Sequence, residues 1–245
     1  MVSVSDLKIK LFMDGAEIRS MVDAVRTNPL IQGFTTNPTL MRKAGITDYA
    51  AFAREAIAAV GGLSISFEVF SDTFEEMERE ARIIHSWGGN TYVKIPITNT
   101  QGESSVPLIA KLSREGIALN VTAIMTPEQV AAVAGALDAG TPAIVSVFAG
   151  RVADTGIDPM PLMARCRELL AELPKAELLW ASPRELLNVF QADAVGCHII
   201  TATKDVLAKL TVVGKDLTRY SLETVQMFYN DASAAGFRLT EADRA

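Results

Sequence analysis

Eight short apolar runs recur along the 245 residues, each followed by an amphipathic segment of helix length, and few folds can absorb that rhythm. The runs cover residues 9–13, 33–36, 63–69, 91–95, 118–123, 143–148, 177–180 and 197–201. Helical patterns lie over 16–25, 49–60, 73–87, 106–114, 127–137, 159–173, 184–192 and 204–210. Parallel strands need crossover connections of this length, and eight strand–helix units close naturally into a (β/α)8 TIM barrel. Thr126-Pro127-Glu128 and Ser182-Pro183-Arg184-Glu185 both read as helix starts, a hydroxyl cap followed by proline in the first turn. A ninth amphipathic helix over 221–235, within a segment of about 217–236, carries a stripe of Leu222, Val225, Met227 and Phe228. It either docks on its own barrel or reaches a neighbouring subunit. The expectation is one barrel domain over 1–245, since no stretch has the composition of a linker.

Hydrophobic residues make up 49% of the chain and its mean hydropathy is +0.22, so a large core can be buried. No apolar run is long enough to span a bilayer, and MVSVSDLKIK lacks a signal-peptide pattern, so the expectation is a soluble cytoplasmic protein with no membrane partner. Lys and Arg total 23 against 29 Asp and Glu, a net charge of -6, which argues against a nucleic-acid partner. Cys166, Cys197, His85 and His198 have no ligand spacing, and no metal site is expected.

Within the fourth run, Tyr92 and Lys94 alternate with Val93 and Ile95, and so point away from the apolar face toward the barrel interior. An ammonium buried there without partners favours its neutral form, and a neutral lysine amine attacks carbonyls to make Schiff bases. A lone strand lysine more often snorkels to water, but other strands repeat the pattern. Asp14, Glu68, Asn120, Thr122 and Ser146 occupy the same inward parity near strand ends, where barrels of this type build their active sites. Six converging polar groups would each need a partner to offset desolvation if they were merely core. A desolvated amine, two carboxylates and groups able to orient water fit an aldolase that works through a carbinolamine and an imine. Arg151 after the sixth run and the Ser182–Arg184 segment after the seventh offer an anion site, helped by a helix amino terminus.

In sequence order, Phe12-Met13-Asp14, Gly33-Phe34-Thr35-Thr36-Asn37-Pro38, Phe67-Glu68-Val69, Val93-Lys94-Ile95-Pro96, Asn120-Val121-Thr122, Ser146-Val147-Phe148-Ala149-Gly150-Arg151 and Ala181-Ser182-Pro183-Arg184 resemble the motifs of the transaldolases and the related fructose-6-phosphate aldolases. The resemblance implies a class I aldolase barrel in which Lys94 forms the imine and Asp14 is the acid/base, while Glu68 and Thr122 hold a catalytic water. It implies that Thr36, Asn37, Asn120, Ser146 and Phe148 line the dihydroxyacetone site, and that Arg151, Ser182 and Arg184 receive a phosphate. Aldolase members typically have Gln and Tyr where this chain has Glu68 and Phe148, so the transaldolase side of the family is the closer likeness. A phenyl ring would leave the enamine to wait for an acceptor, where a phenol would help release dihydroxyacetone.

The resemblance further implies transfer of a dihydroxyacetone unit from sedoheptulose 7-phosphate or fructose 6-phosphate to erythrose 4-phosphate or glyceraldehyde 3-phosphate. It implies no cofactor, a setting in the pentose phosphate pathway, and assembly as a homo-oligomer, a pentamer or decamer. The alternatives are a fructose-6-phosphate aldolase-like enzyme, a transaldolase for a modified or anionic sugar, and a non-catalytic sugar-phosphate binding barrel. Pro183 stands where the family usually has an aromatic, and the Asn99-Thr100-Gln101-Gly102-Glu103 loop is distinctive. Both are expected to reshape the acceptor end.

Overall fold

The computed structural model describes residues 3–240 and Ala242. The two amino-terminal residues of the expected domain, with 241 and 243–245, lie outside the described residues. Residues Leu7–Ala208 form one compact unit. In order it contains β1 (Lys10–Asp14), α1 (Ile18–Thr27), β2 (Ile31–Thr35), α2 (Pro38–Lys43), α3 (Tyr49–Ala59), β3 (Ser64–Glu68), α4 (Phe74–Ser86), β4 (Thr91–Pro96) and α5 (Val106–Arg114). It continues with β5 (Leu119–Ile124), α6 (Pro127–Ala134), β6 (Ala143–Val147), α7 (Ala149–Asp154), α8 (Pro159–Leu169), β7 (Ala176–Trp180), α9 (Leu187–Ala194), β8 (Ile199–Thr203) and α10 (Lys204–Ala208). Each strand pairs in parallel with the next, and β8 closes on β1, giving the (β/α)8 barrel. The eight expected strands are all present, to within two residues at each end.

Helix ends shift by up to four residues from the sequence expectation, and three differences bear on the site. The first two are extra helices: α2 starts where Asn37 accepts a hydrogen bond from the Leu40 amide at 2.9 Å with Pro38 in the first turn, and α7 follows β6 almost at once. The third is α9, which begins at Leu187 rather than at Arg184. Its expected start is diverted because Ser182 takes a left-handed φ of 62° and the Asn188 side chain accepts from the amides of Arg184 and Glu185. At α6 the expected cap is present as a full capping box between Thr126 and Gln129.

The outer face of the strands packs under the helices. Phe67 is fully buried, with Tyr49, Phe52 and Trp87 set edge-on around it at centroid distances of 6.2, 6.3 and 5.5 Å. Inside, Phe12, Ile144, Leu179, Ala181 and Ile199 make an apolar cluster against which Tyr92 and Phe148 pack. The barrel is therefore plugged by hydrocarbon, and the polar inward residues are left at the carboxyl ends. No helix among the described residues is long and apolar enough to cross a membrane.

The other compact unit comprises residues 1–6 and 209–245, of which the described part contains α11 (Leu217–Ala234). Asp216 caps it, accepting from the Arg219 amide at 2.9 Å. None of its residues is buried, and Leu222, Val225, Met227 and Phe228 are all exposed.

Gly33 lies opposite Phe12 in the β1–β2 ladder, and a Cβ there would meet the Phe12 ring at 2.4 Å. Gly33→Ala is expected to destabilise the barrel by about 1–3 kcal/mol through overpacking. Denaturant unfolding checks this, and an unchanged midpoint would contradict it.

Candidate active site

In the second half of β4 the Lys94 side chain turns inward and is only 7% exposed. Its ammonium donates to the Thr36 carbonyl oxygen at 2.9 Å and lies 3.2 Å from Glu68 Oε2. Glu68 and Lys94 are register partners across β3 and β4, so the ladder itself aligns the pair. The expectation of a partnerless ammonium is thereby corrected: the charge is buried but matched. Tyr49 fixes the other end of the arrangement, donating its hydroxyl to the Glu68 carbonyl at 2.8 Å.

Asp14, at the end of β1, accepts from the Thr35 hydroxyl at 2.7 Å and from the Asn37 amide at 3.4 Å. Thr35 in turn shares a 2.6 Å bond with Thr201. Burial pushes the Asp14 carboxyl above its ordinary range. The Thr35 hydrogen bond and the Lys94 charge oppose that rise, and Glu68 adds to it. On the opposite wall Ser146 donates to Asn120 Oδ1 at 2.6 Å and Asn120 donates to Ser66 at 3.0 Å, so these two side chains hold each other in place.

Thr122 is different. Its hydroxyl is buried and has no hydrogen-bond partner among the described residues. The β5–β6 ladder steps from Val121↔Val145 to Ile124↔Val147, one residue more on β5 than on β6, and Ala123 carries the bulge at a φ of 61°. A non-glycine residue held there costs about 1–3 kcal/mol, a kind of strain that collects at functional sites. An orphaned buried hydroxyl beside open space is a place for a water or a ligand oxygen.

One cavity of about 610 Å³ brings these residues together. Asp14, Asn37, Glu68, Lys94, Asn120, Thr122, Ser146, Phe148, Arg151, Ser182 and Arg184 all line it. Thr36 does not: its hydroxyl donates to the Ser66 carbonyl at 2.9 Å, and it serves the cavity through the carbonyl that receives Lys94. Thr35, Thr201 and Lys43 line the cavity without having been assigned a role from the sequence. Residues 99–103 are not part of the lining. Their turn is latched to the loop after β3, where Asp72 accepts from the Thr100 amide at 2.8 Å and hydroxyl at 2.7 Å.

At the far end, the Arg151 guanidinium lies 5.4 Å from the centre of the Phe148 ring, and Arg184 is ion-paired with Asp154. The loops after β6 and β7 interlock: a Cβ on Gly150 would fall 1.6 Å from the Ser182 carbonyl oxygen. Glycine is thus required at 150, between Ala149 and Arg151, where α7 meets the Ser182 backbone. Because α9 starts only at Leu187, the expected helix amino terminus is not part of this end, where Arg151, Ser182 and Arg184 line the cavity.

A family model described as Transaldolase/Fructose-6-phosphate aldolase matches residues 11–242. The chain belongs to this family. It is 35% identical over 207 residues to a probable transaldolase of Thermoplasma volcanium, covering 82% of this chain and 87% of that one. It is 34% identical to a probable transaldolase of Dehalococcoides mccartyi (82% and 90% covered) and 36% identical to one of Streptococcus equi subsp. zooepidemicus (83% and 90% covered).

For this family member the raised Asp14 carboxyl carries a stability signature. A carboxyl whose pKa is higher folded than unfolded binds more protons in the native state, so it lowers stability as pH rises from its unfolded value of 3.8 through the folded one. Asp14→Asn removes the buried charge. It is expected to be more stable than wild type at neutral pH, with the advantage vanishing in acid. Thermal unfolding across pH checks this, and an equal or lower melting temperature throughout would contradict it.

Proposed function

We propose that the protein is a transaldolase: Lys94 forms an imine with a ketose phosphate, and the resulting dihydroxyacetone unit is passed to an aldose phosphate. The observation that carries this is a buried lysine amine held 3.2 Å from a carboxylate and 2.9 Å from a carbonyl, in the same cavity as a second, raised carboxyl.

Lys94 must shed a proton before it attacks the ketose carbonyl, and Glu68 Oε2 is the acceptor within reach. The carbinolamine then loses water. A water held between the unsatisfied Thr122 hydroxyl and Glu68 would return the proton that the departing hydroxide needs. The imine is itself the electron sink, so this route needs neither metal nor organic cofactor. With the imine formed, Asp14 takes the proton of the C4 hydroxyl as the C3–C4 bond breaks, and gives it back when the enamine adds to an acceptor aldehyde. A carboxyl raised by burial suits a group that both takes and returns a proton. Asn120 and Ser146, already locked together, and Asn37 would hold the hydroxyls of the three-carbon unit, while Arg151, Ser182 and Arg184 would receive the phosphate of donor and acceptor.

Transfer rather than simple cleavage is favoured by Phe148, which packs against the apolar cluster and has no proton to give the enamine. Sedoheptulose 7-phosphate or fructose 6-phosphate as donor, and erythrose 4-phosphate or glyceraldehyde 3-phosphate as acceptor, fit this reading. So do a place in the cytoplasmic pentose phosphate pathway and a homo-oligomer, pentamer or decamer, that buries the apolar residues of α11.

Lys94→Arg keeps a cation for Glu68 and the Thr36 carbonyl but cannot form an imine. It is expected to fold and to lose turnover by at least about a thousandfold. Assay of fructose 6-phosphate with and without erythrose 4-phosphate reads both points. Activity within tenfold of wild type would overturn the assignment of Lys94, and dihydroxyacetone release independent of acceptor would favour the aldolase reading.

A further inference from the structure

A cavity that receives phosphate gains from each cation it presents, so a carboxylate built into that end calls for a physical reason. Arg184 gives its Nε–H to Asp154 Oδ1 at 2.8 Å and an Nη2–H to Oδ2, a two-point pairing that occupies one edge of the guanidinium. Asp154 closes α7, three residues after Arg151. The hydrogen bond from Arg184, and then the charges of Arg184 and Arg151, hold the Asp154 carboxyl below its ordinary range. Among the described residues Arg151 has no carboxylate within ion-pair distance, and its guanidinium is left over the Phe148 ring. Arg151, Arg184 and Asp154 together carry a single net positive charge.

Resting on the sugar-phosphate reading above, we propose that Asp154 sets the specificity and the grip of this subsite. It holds Arg184 by one edge, leaves the Nη1 edge for a phosphoryl group, and cancels half of the charge of the two arginines. The chemistry gives the reason. A transferase whose donor product and acceptor both carry phosphate must empty and refill one subsite in every cycle, and a phosphate dianion gripped by two unmodulated arginines would leave slowly. Asp154 touches no reacting atom and acts through Arg184, as a positioning residue.

Asp154→Asn retains an acceptor for the Arg184 Nε–H and removes the charge. Titration calorimetry of the full-length protein with inorganic phosphate is expected to give binding about three- to tenfold tighter than wild type at low ionic strength, a gain that shrinks as salt is added. In steady state the KM for glyceraldehyde 3-phosphate should fall relative to that for unphosphorylated glyceraldehyde, while kcat with the phosphorylated acceptor falls with slower release. In an Arg184→Gln background the gain from the Asp154 substitution should shrink to the smaller share that acts through the Arg151 charge. Unchanged or weaker phosphate binding by Asp154→Asn would overturn the proposal, as would a gain undiminished without Arg184, or the absence of measurable binding by either protein. Phosphate titration does not involve Lys94, so failure of the imine chemistry and failure of this inference are read separately.

Discussion

The ion pair between Lys94 and Glu68 is the contact on which the site depends. Removing two opposite charges from water costs several kcal/mol per ion after relaxation, and attraction offsets this only when geometry and further hydrogen bonds are good. Here the β3–β4 register aligns the partners, the Thr36 carbonyl takes another ammonium proton, and Tyr49 holds the Glu68 backbone from outside the barrel. Each support comes from a different element of the β2–β4 stretch, so pairing these three strands and packing α3 on them is what assembles them. The apolar cluster around Phe12, Ile144 and Leu179 fills the interior beneath and keeps the pair at the carboxyl ends of the strands.

Around that pair, some polar groups are satisfied by one another and others are left for a ligand. Asn120, Ser66 and Ser146 form a closed set, and Thr35 bridges Asp14 and Thr201. The Thr122 hydroxyl, placed by a bulge at Ala123, has no such partner among the described residues. Asp14 is held where its charge is unfavourable. Local cost at Thr122, Ala123 and Asp14 is the pattern expected when a fold gives up some stability to prepare a site.

Much of this was legible in the sequence, because a parallel barrel maps residue parity directly onto inside and outside. Strand parity alone picked out Asp14, Glu68, Lys94, Asn120, Thr122 and Ser146, and all six line one cavity. The same rule, carried to β2 and β8, would have found Thr35 and Thr201. The Asn37-Pro38 pair, a cap followed by a first-turn proline, was a readable signal for α2. The start of α9 was not readable, since Ser182-Pro183-Arg184-Glu185 satisfies the local rules for a helix cap. There Gly150 pressing on the Ser182 carbonyl and Asn188 taking two amides decide the outcome, and both are tertiary contacts. The Arg184–Asp154 pairing was hidden for a similar reason, joining residues thirty positions apart.

In the proposed reaction, the amine held by Glu68 and the Thr36 carbonyl is the one that captures the ketose. Borohydride reduction in the presence of fructose 6-phosphate, followed by peptide mass analysis, tests it most directly. A stable adduct is expected on the peptide carrying Lys94, formed only when sugar and reductant are both present. A reduced adduct on another lysine, or none with either fructose 6-phosphate or sedoheptulose 7-phosphate, would contradict it.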